Sequence, residues 1–169
     1  MNKQTIIILE GHDMVGKTTI GNELSELLNI PSFKCAKENK WHDQLIDLIY
    51  AGETLTQFLE QTNTSVIFDR LFPSEFAYAK AYNRPTSYEK IMNIDSRYAK
   101  MGAKIIIFYK NSDCYEDDDT GLIKTEMYEK VHNAFVEFSN LSECDVLLLN
   151  TSDKKLGTQL EKIINFIKQ

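Results

Sequence analysis

With 169 residues, 43% of them hydrophobic and 26% charged, the chain has the size and composition of a single globular domain. It is large enough to bury a core without disulfides or a structural metal, and too apolar for a disordered segment. A net charge of −6 supplies no basic field for a phosphodiester backbone, which argues against a polymeric nucleic-acid partner. Cys35, Cys114 and Cys144 are far apart, form no C-x-x-C pair and read as reduced thiols. No apolar run approaches about 18 residues and the first strand begins almost at Met1, so no membrane partner and a cytoplasmic location are expected.

In chain order, Thr5–Glu10 is apolar enough for a buried strand, and Lys17–Asn29 has helical spacing at Leu24, Leu27 and Leu28 and stops before Pro31. Ser32–Cys35 is a short second strand. Asp43–Tyr50 reads as a helix halted at Gly52, and the capping box Thr54-x-x-Gln57 as the start of another. Strand Thr64–Asp69 is followed by helices Pro73–Tyr82 and Ser87–Met101, the latter ended by Gly102. Strand Lys104–Tyr109, an acidic stretch Lys110–Thr120 with the composition of a mobile surface loop, helix Ile123–Asn140, strand Asp145–Asn150 and helix Lys154–Lys168 complete the chain. Near-continuous apolar strands alternating with helices predict a parallel five-stranded sheet covered on both faces, a three-layer α/β domain over residues 1–169.

The chemistry is concentrated where the first strand meets the first helix. Gly11 to Gly16-Lys17-Thr18 satisfies G-x-x-x-x-G-K-[ST], in which backbone N–H groups wrap a polyphosphate, the lysine reaches its terminal phosphates and the hydroxyl holds Mg²⁺. A helix opening at Lys17 adds unpaired N–H groups and a favourable dipole. The expected ATP site is thus Gly11, His12, Asp13, Met14, Val15, Gly16, Lys17, Thr18 and Thr19.

A second constellation closes the central strand. Val66-Ile67-Phe68-Asp69-Arg70 ends in a carboxylate and a guanidinium, and ligands of parallel sheets bind outside the carboxyl ends of strands. Asp69 is placed to support Mg²⁺ with Thr18, and Arg70 offers a planar fork for a phosphate or carboxylate. The alternative is an ion pair that merely caps the sheet edge.

Glu10-Gly11-x-Asp13-x-x-Gly16-Lys17-Thr18-Thr19, followed by Asp69-Arg70-x-x-x-Ser74-x-x-Ala77-Tyr78, resembles thymidylate kinases and related nucleoside and nucleotide kinases, in particular the compact forms found in phages. The resemblance implies a P-loop kinase fold with a lid-like insertion at about residues 110–124. It also implies transfer of the γ-phosphate of ATP to a deoxynucleoside monophosphate, dTMP foremost, and, by analogy, a homodimer. It gives Lys17, Asp13 and Arg70 as catalytic residues, with Asp13 near the acceptor and Arg70 on its phosphate. Thr19 would add contacts to the donor's phosphates.

Two alternatives stand beside this. A deoxynucleoside kinase would need a general base near the acceptor's 5′-hydroxyl, for which Glu10 and Asp13 are nearest in sequence, whereas Lys34 stands where that rival would place a carboxylate. A catalytically weak nucleotide-binding regulator is suggested by the lid region Asn111–Lys124, where Lys124 is the one cation, and by Met14 and Val15 in the loop where an arginine is usual. A switch GTPase would carry an Asn-Lys-x-Asp tetrad, absent here.

Further acceptor contacts are open between two readings each. Phe72, Phe76 and Tyr78 suit either base stacking or the core. Arg84 suits either a substrate phosphate or solvent, and Arg97 either the acceptor cleft or a surface ion pair with Asp95 or Glu89. His12 suits either a phosphate or solvent. Trp41 either lines the acceptor pocket or packs beneath a loop.

Overall fold

The computed structural model describes residues 4–35, 48–114, 125–153 and 155–169. Five strands, β1 (Ile6–Gly11), β2 (Ser32–Lys34), β3 (Val66–Asp69), β4 (Lys104–Tyr109) and β5 (Asp145–Asn150), form one parallel sheet in the order β2-β3-β1-β4-β5. Among the described residues six helices cover it: α1 (Lys17–Leu28), α2 (Leu48–Thr62), α3 (Phe72–Ala81), α4 (Tyr88–Lys100), α5 (Thr125–Leu141) and α6 (Leu156–Ile167). The predicted strands are all present and the predicted layering holds.

Strand alternation divides the interior in two. Ile6, Ile8, Val66, Phe68, Ile105 and Ile107 face α2 to α5 through Leu59, Phe72, Ile94, Tyr98, Phe135 and Phe138. Ile7, Leu9, Ile67, Ile106, Phe108 and Leu149 face α1 and α6 through Ile20, Leu24 and Ile163. A strand buried on both faces cannot alternate apolar with polar, which is why β1 reads as Ile-Ile-Ile-Leu.

The helix boundaries have local causes. Asn29 takes the left-handed conformation at the end of α1 (φ 52°), and Pro73 sits in the first turn of α3, where its missing N–H costs nothing. Ser87 caps α4 by accepting from the Lys90 N–H, and Gly102 (φ 74°) follows its end.

One boundary differs from expectation. Gly52 does not halt a helix; α2 runs through it to Thr62, and Thr54 lies mid-helix instead of capping one. The glycine serves packing. A Cβ there would stand 3.3 Å from Ile94 Cδ1, so its absence lets α2 approach α4 closely, while Thr56 Oγ1 donates to the Gly52 carbonyl at 2.5 Å.

Candidate active site

The adjacent strands β1 and β3 end side by side, with Leu9 in register with Asp69, so the loop after β1 and the Asp69-Arg70 pair open on the same edge. Between them lies a cleft of about 390 Å³ lined by Asp13, Met14, Gly16, Lys17, Thr18 and Thr19 from the loop and helix, Asp69 and Arg70 from β3, and Lys34 from β2.

The loop's shape follows from its glycines. Gly11 has φ 127° and passes so close to β4 that a Cβ would stand 2.1 Å from the Phe108 carbonyl oxygen; Gly16 has φ 91°. Met14, at the crest, also takes a positive φ of 62° and is 65% exposed. Lys17 is buried, and its ammonium donates to the carbonyls of Gly11, at 3.2 Å, and His12. Burial and, after it, the Arg70 charge push the Lys17 pKa down to about 7, against the pull of Asp13, Asp69 and Glu10.

Thr18 Oγ1 donates to Asp69 Oδ2 at 2.8 Å, which brings the two expected metal-supporting oxygens together. Hydroxyl and carboxylate oxygens are hard donors of the kind Mg²⁺ takes, so the pair fits that ion.

Arg70 stands in the left-handed region (φ 71°), a conformation that costs a non-glycine residue roughly 1–2 kcal/mol. Its guanidinium is held from two sides. Nη2 pairs with Asp13 Oδ1 at 2.6 Å, while Nη1 donates to Ser74 Oγ and Tyr78 OH, each at 3.3 Å, with the guanidinium 5.5 Å from the centre of the Tyr78 ring. Burial alone would lower its pKa, but the fields of Tyr78, Asp13 and Glu10 outweigh that and hold the charge firmly.

Behind this surface Glu10 is fully buried. Its Oε1 accepts from the Leu71 N–H at 2.7 Å and its Oε2 from the Ser74 hydroxyl at 2.5 Å. Burial raises its pKa to about 7, even with Arg70, the two hydrogen bonds and Lys17 acting in the opposite direction.

Several expected site residues lie elsewhere. The His12 side chain faces the interior and not solvent: it is 1% exposed and stacks on Tyr128 at 4.1 Å, with Phe135 edge-on at 6.3 Å. That burial, then His132, drives its pKa down to about 3. Val15 likewise points into the core.

Phe72 is buried against Tyr98 and Phe138, and Phe76 against Tyr88 and Phe138, so neither is free to stack on a base. Arg84 pairs with Glu75 at 2.8 Å beside a separate depression between α3 and α4. Arg97 is bidentate to Glu60 of α2, at 2.9 and 2.6 Å, and not to Asp95 or Glu89; Asp95 is buried and engaged by Ser142 and the Glu143 N–H. Trp41, Lys124 and the Glu116–Asp119 acidic run lie outside the described residues.

Two aromatic and cationic groups join the site that residue-by-residue reading did not assign to it. Tyr82 lies near-parallel to Tyr78, ring centres 6.3 Å apart, and is close enough for the Asp13 charge to help burial raise its pKa. The i, i+4 spacing of Tyr78 and Tyr82 across the end of α3 was the available signal. Lys34 enters because β2 is in register with β3 at Asp69.

Compared by sequence, the chain matches no known family profile and no curated protein. Compared by structure, it is similar over 96% of its length to the YorR protein of Bacillus subtilis, solved in complex with phosphorylated GDP, with a TM-score of 0.74, 20% identity and 95% of that chain covered. Thymidylate kinase of Ehrlichia chaffeensis matches over the whole of both chains with a TM-score of 0.60 and 16% identity. Deoxyadenosine kinase of M. mycoides matches over 98% of this chain and 99% of that one, with a TM-score of 0.61 and 20% identity. What is shared at these identities is the architecture, and the chain has the three-layer α/β/α fold of P-loop kinases.

Proposed function

We propose that the protein is an ATP-dependent nucleoside monophosphate kinase acting on a deoxynucleotide, with dTMP the foremost acceptor. The observation that carries this reading is the Arg70 guanidinium, kept charged and aimed at the cleft beside Lys17 by Asp13, Ser74 and Tyr78. A fork-shaped cation anchored in this way suits an acceptor that already bears a phosphate.

In this reading the residues Gly11 to Thr19 hold ATP, chiefly through backbone N–H groups, and Lys17 leaves its two carbonyl partners to neutralise the β- and γ-phosphates. Thr18 and Asp69 hold Mg²⁺, which supplies charge neutralisation when bound. Arg70 grips the acceptor's phosphate and Asp13 orients both Arg70 and the acceptor. An oxygen of that phosphate attacks the γ-phosphorus, the bond to the β–γ bridging oxygen breaks, and ADP departs with the electron pair. Positioning and charge neutralisation account for most of such a reaction.

The nucleoside-kinase reading draws less support. Glu10 is sealed behind Leu71 and Ser74, and Asp13 is engaged by Arg70, so neither stands ready as a general base. Tyr78 and Tyr82 are the aromatic surface we assign to the acceptor's base, in place of Phe72. Arg84 and Arg97, held in ion pairs away from the cleft, have no acceptor role in this proposal. A single domain over residues 1–169 with a lid at about 110–124, a homodimeric state and a cytoplasmic location belong to the same reading.

The test is product formation from ATP with a panel of deoxynucleoside monophosphates and deoxynucleosides. Transfer to a monophosphate is expected; transfer to nucleosides alone overturns the reading, and tight ATP binding without transfer replaces it with a regulatory role. Lys17→Ala is expected to abolish transfer with the far-ultraviolet spectrum unchanged. Turnover near the parent's would remove the loop from the mechanism.

A further inference from the structure

Among the described residues, Glu10 is the one fully buried carboxylate beside the cleft that the proposed transfer leaves without a task. It occupies the end of β1, yet both its oxygens are spent on the chain just beyond Arg70: Oε1 on the Leu71 N–H and Oε2 on the Ser74 hydroxyl. Ser74 Oγ in turn accepts from Arg70 Nη1. The result is a directed chain in which the guanidinium donates to Ser74 and Ser74 donates to Glu10.

The backbone end of Arg70 is held by the same carboxylate. Arg70 is bracketed by its own N–H, which donates to the Leu9 carbonyl at 3.0 Å, and by the next N–H, which Glu10 receives. Between those two bonds its φ of 71° is fixed. A residue in this sparsely populated region persists only where its surroundings over-determine it.

We infer that Glu10 is a positioning residue: it holds Arg70 in its left-handed conformation through Leu71 and aims the guanidinium at the acceptor's phosphate through Ser74. The inference rests on the reading of Arg70 given above. Glu10 lines no part of the cleft, so it acts through Arg70. Asp13 holds the guanidinium from the opposite side, which leaves Glu10 to set where the side chain starts and Asp13 to set where it ends.

Glu10→Gln keeps the shape but puts an amide donor where one of two acceptors was, so one bond to the Arg70 turn is lost. Ser74→Ala removes the relay alone and leaves the Leu71 bond, and serves should the buried glutamine prevent folding. The first readout needs no turnover: in a ¹⁵N-labelled sample the tethered Arg70 guanidinium, assigned with Arg70→Lys, gives Nη–H resonances resolved from those of the other arginines. Both variants are expected to shift and broaden them. The second is kinetic: KM for dTMP rises about tenfold, as for a lost hydrogen bond to a charged group, while KM for ATP stays within about twofold. The double variant adds little to the larger single loss, because both act on one group.

Unchanged Arg70 resonances in both variants overturn the inference. So does an equal rise in both KM values accompanied by a lowered melting temperature, which is the mark of a general structural role. If the resonances shift but no deoxynucleoside monophosphate binds the parent protein, the positioning of Arg70 stands and the functional reading falls by itself.

Discussion

Thr18 Oγ1 and Asp69 Oδ2, 51 positions apart in the chain, lie 2.8 Å from one another and tie the first turn of α1 to the end of β3. A hydroxyl and a carboxylate already in contact need little rearrangement to receive a cation together, whereas separate groups would lose side-chain freedom on binding it.

If that pair supports Mg²⁺, Asp69→Asn raises the magnesium concentration for half-maximal transfer by roughly 10- to 100-fold, the range seen when a supporting partner of a metal site is removed. Titration of activity with MgCl₂ checks this, and full activity in excess EDTA would refute the pair's role.

Arg70 and Arg97 make opposite predictions from one side-chain type. Arg70→Ala is expected to raise KM for the acceptor by about 10- to 100-fold, the loss of a charge-assisted interaction, with KM for ATP little changed. Arg97→Ala breaks an exposed pair with Glu60 and is expected to leave both constants near the parent's, with a stability change of about 1 kcal/mol or less. Steady-state kinetics on the two variants distinguish the arginines.

Gly11→Ala and Gly16→Ala separate two demands on glycine. At Gly11 a methyl group meets the Phe108 carbonyl at 2.1 Å, and β1 is pinned to β4 at that position, so a loss of at least about 3 kcal/mol is expected. At Gly16 nothing lies within 4 Å and only the left-handed backbone is penalised, by roughly 1–2 kcal/mol. Thermal melts would show the larger fall for Gly11→Ala, at about 2–4 °C per kcal/mol in a chain of this length.

Lys17 and Glu10 give the site a pH signature. The Glu10 pKa is raised from an ordinary 4.5 to about 7. Between those values the folded chain holds a proton the unfolded chain has lost, and the associated stability disappears as pH climbs through 7. Glu10→Gln, which does not titrate, should therefore gain on the parent between pH 4.5 and 8 in urea midpoints. The Lys17 pKa is lowered from 10.5 to about 7, so its contribution is present at high pH and lost as pH falls through 7. A polyphosphate favours the ammonium form, and calorimetry in buffers of different ionisation enthalpy should show proton uptake on ATP binding at pH 8. Glu10→Gln trailing further behind with rising pH, or no uptake at pH 8, would contradict these assignments.

The legible part of the molecule was its local part. Ile6 to Leu9, the spacing from Gly11 to Thr18 and the Asp69-Arg70 strand end depend on short-range pattern, and the strands, layers and cleft follow from them. Errors gathered where a residue's meaning depends on a distant partner. Gly52 looks like a helix stop until Ile94 is seen against it. His12 looks like a loop side chain until Tyr128, more than a hundred positions on, covers it. Phe72 and Phe76 pack against α4 and α5, while Tyr78, edge-on to Phe135, reaches Arg70 with its hydroxyl and lies beside Tyr82, a difference of placement along one helix that composition does not reveal. Glu10 was the hardest case, since a carboxylate next to a phosphate loop invites a chemical role and its partners, Leu71 and Ser74, are more than sixty residues away.

Met14 and Val15 are neighbours with unlike fates. Val15 is committed to the interior, but Met14 projects from the crest of the loop with its side chain largely in water and its backbone already in the left-handed region. The crest is therefore a vacant socket: any unbranched side chain is accommodated there at no added backbone cost. Met14→Arg installs a guanidinium at the rim of the cleft without displacing a packed atom, making the protein a ready host for measuring how much turnover one added cation confers.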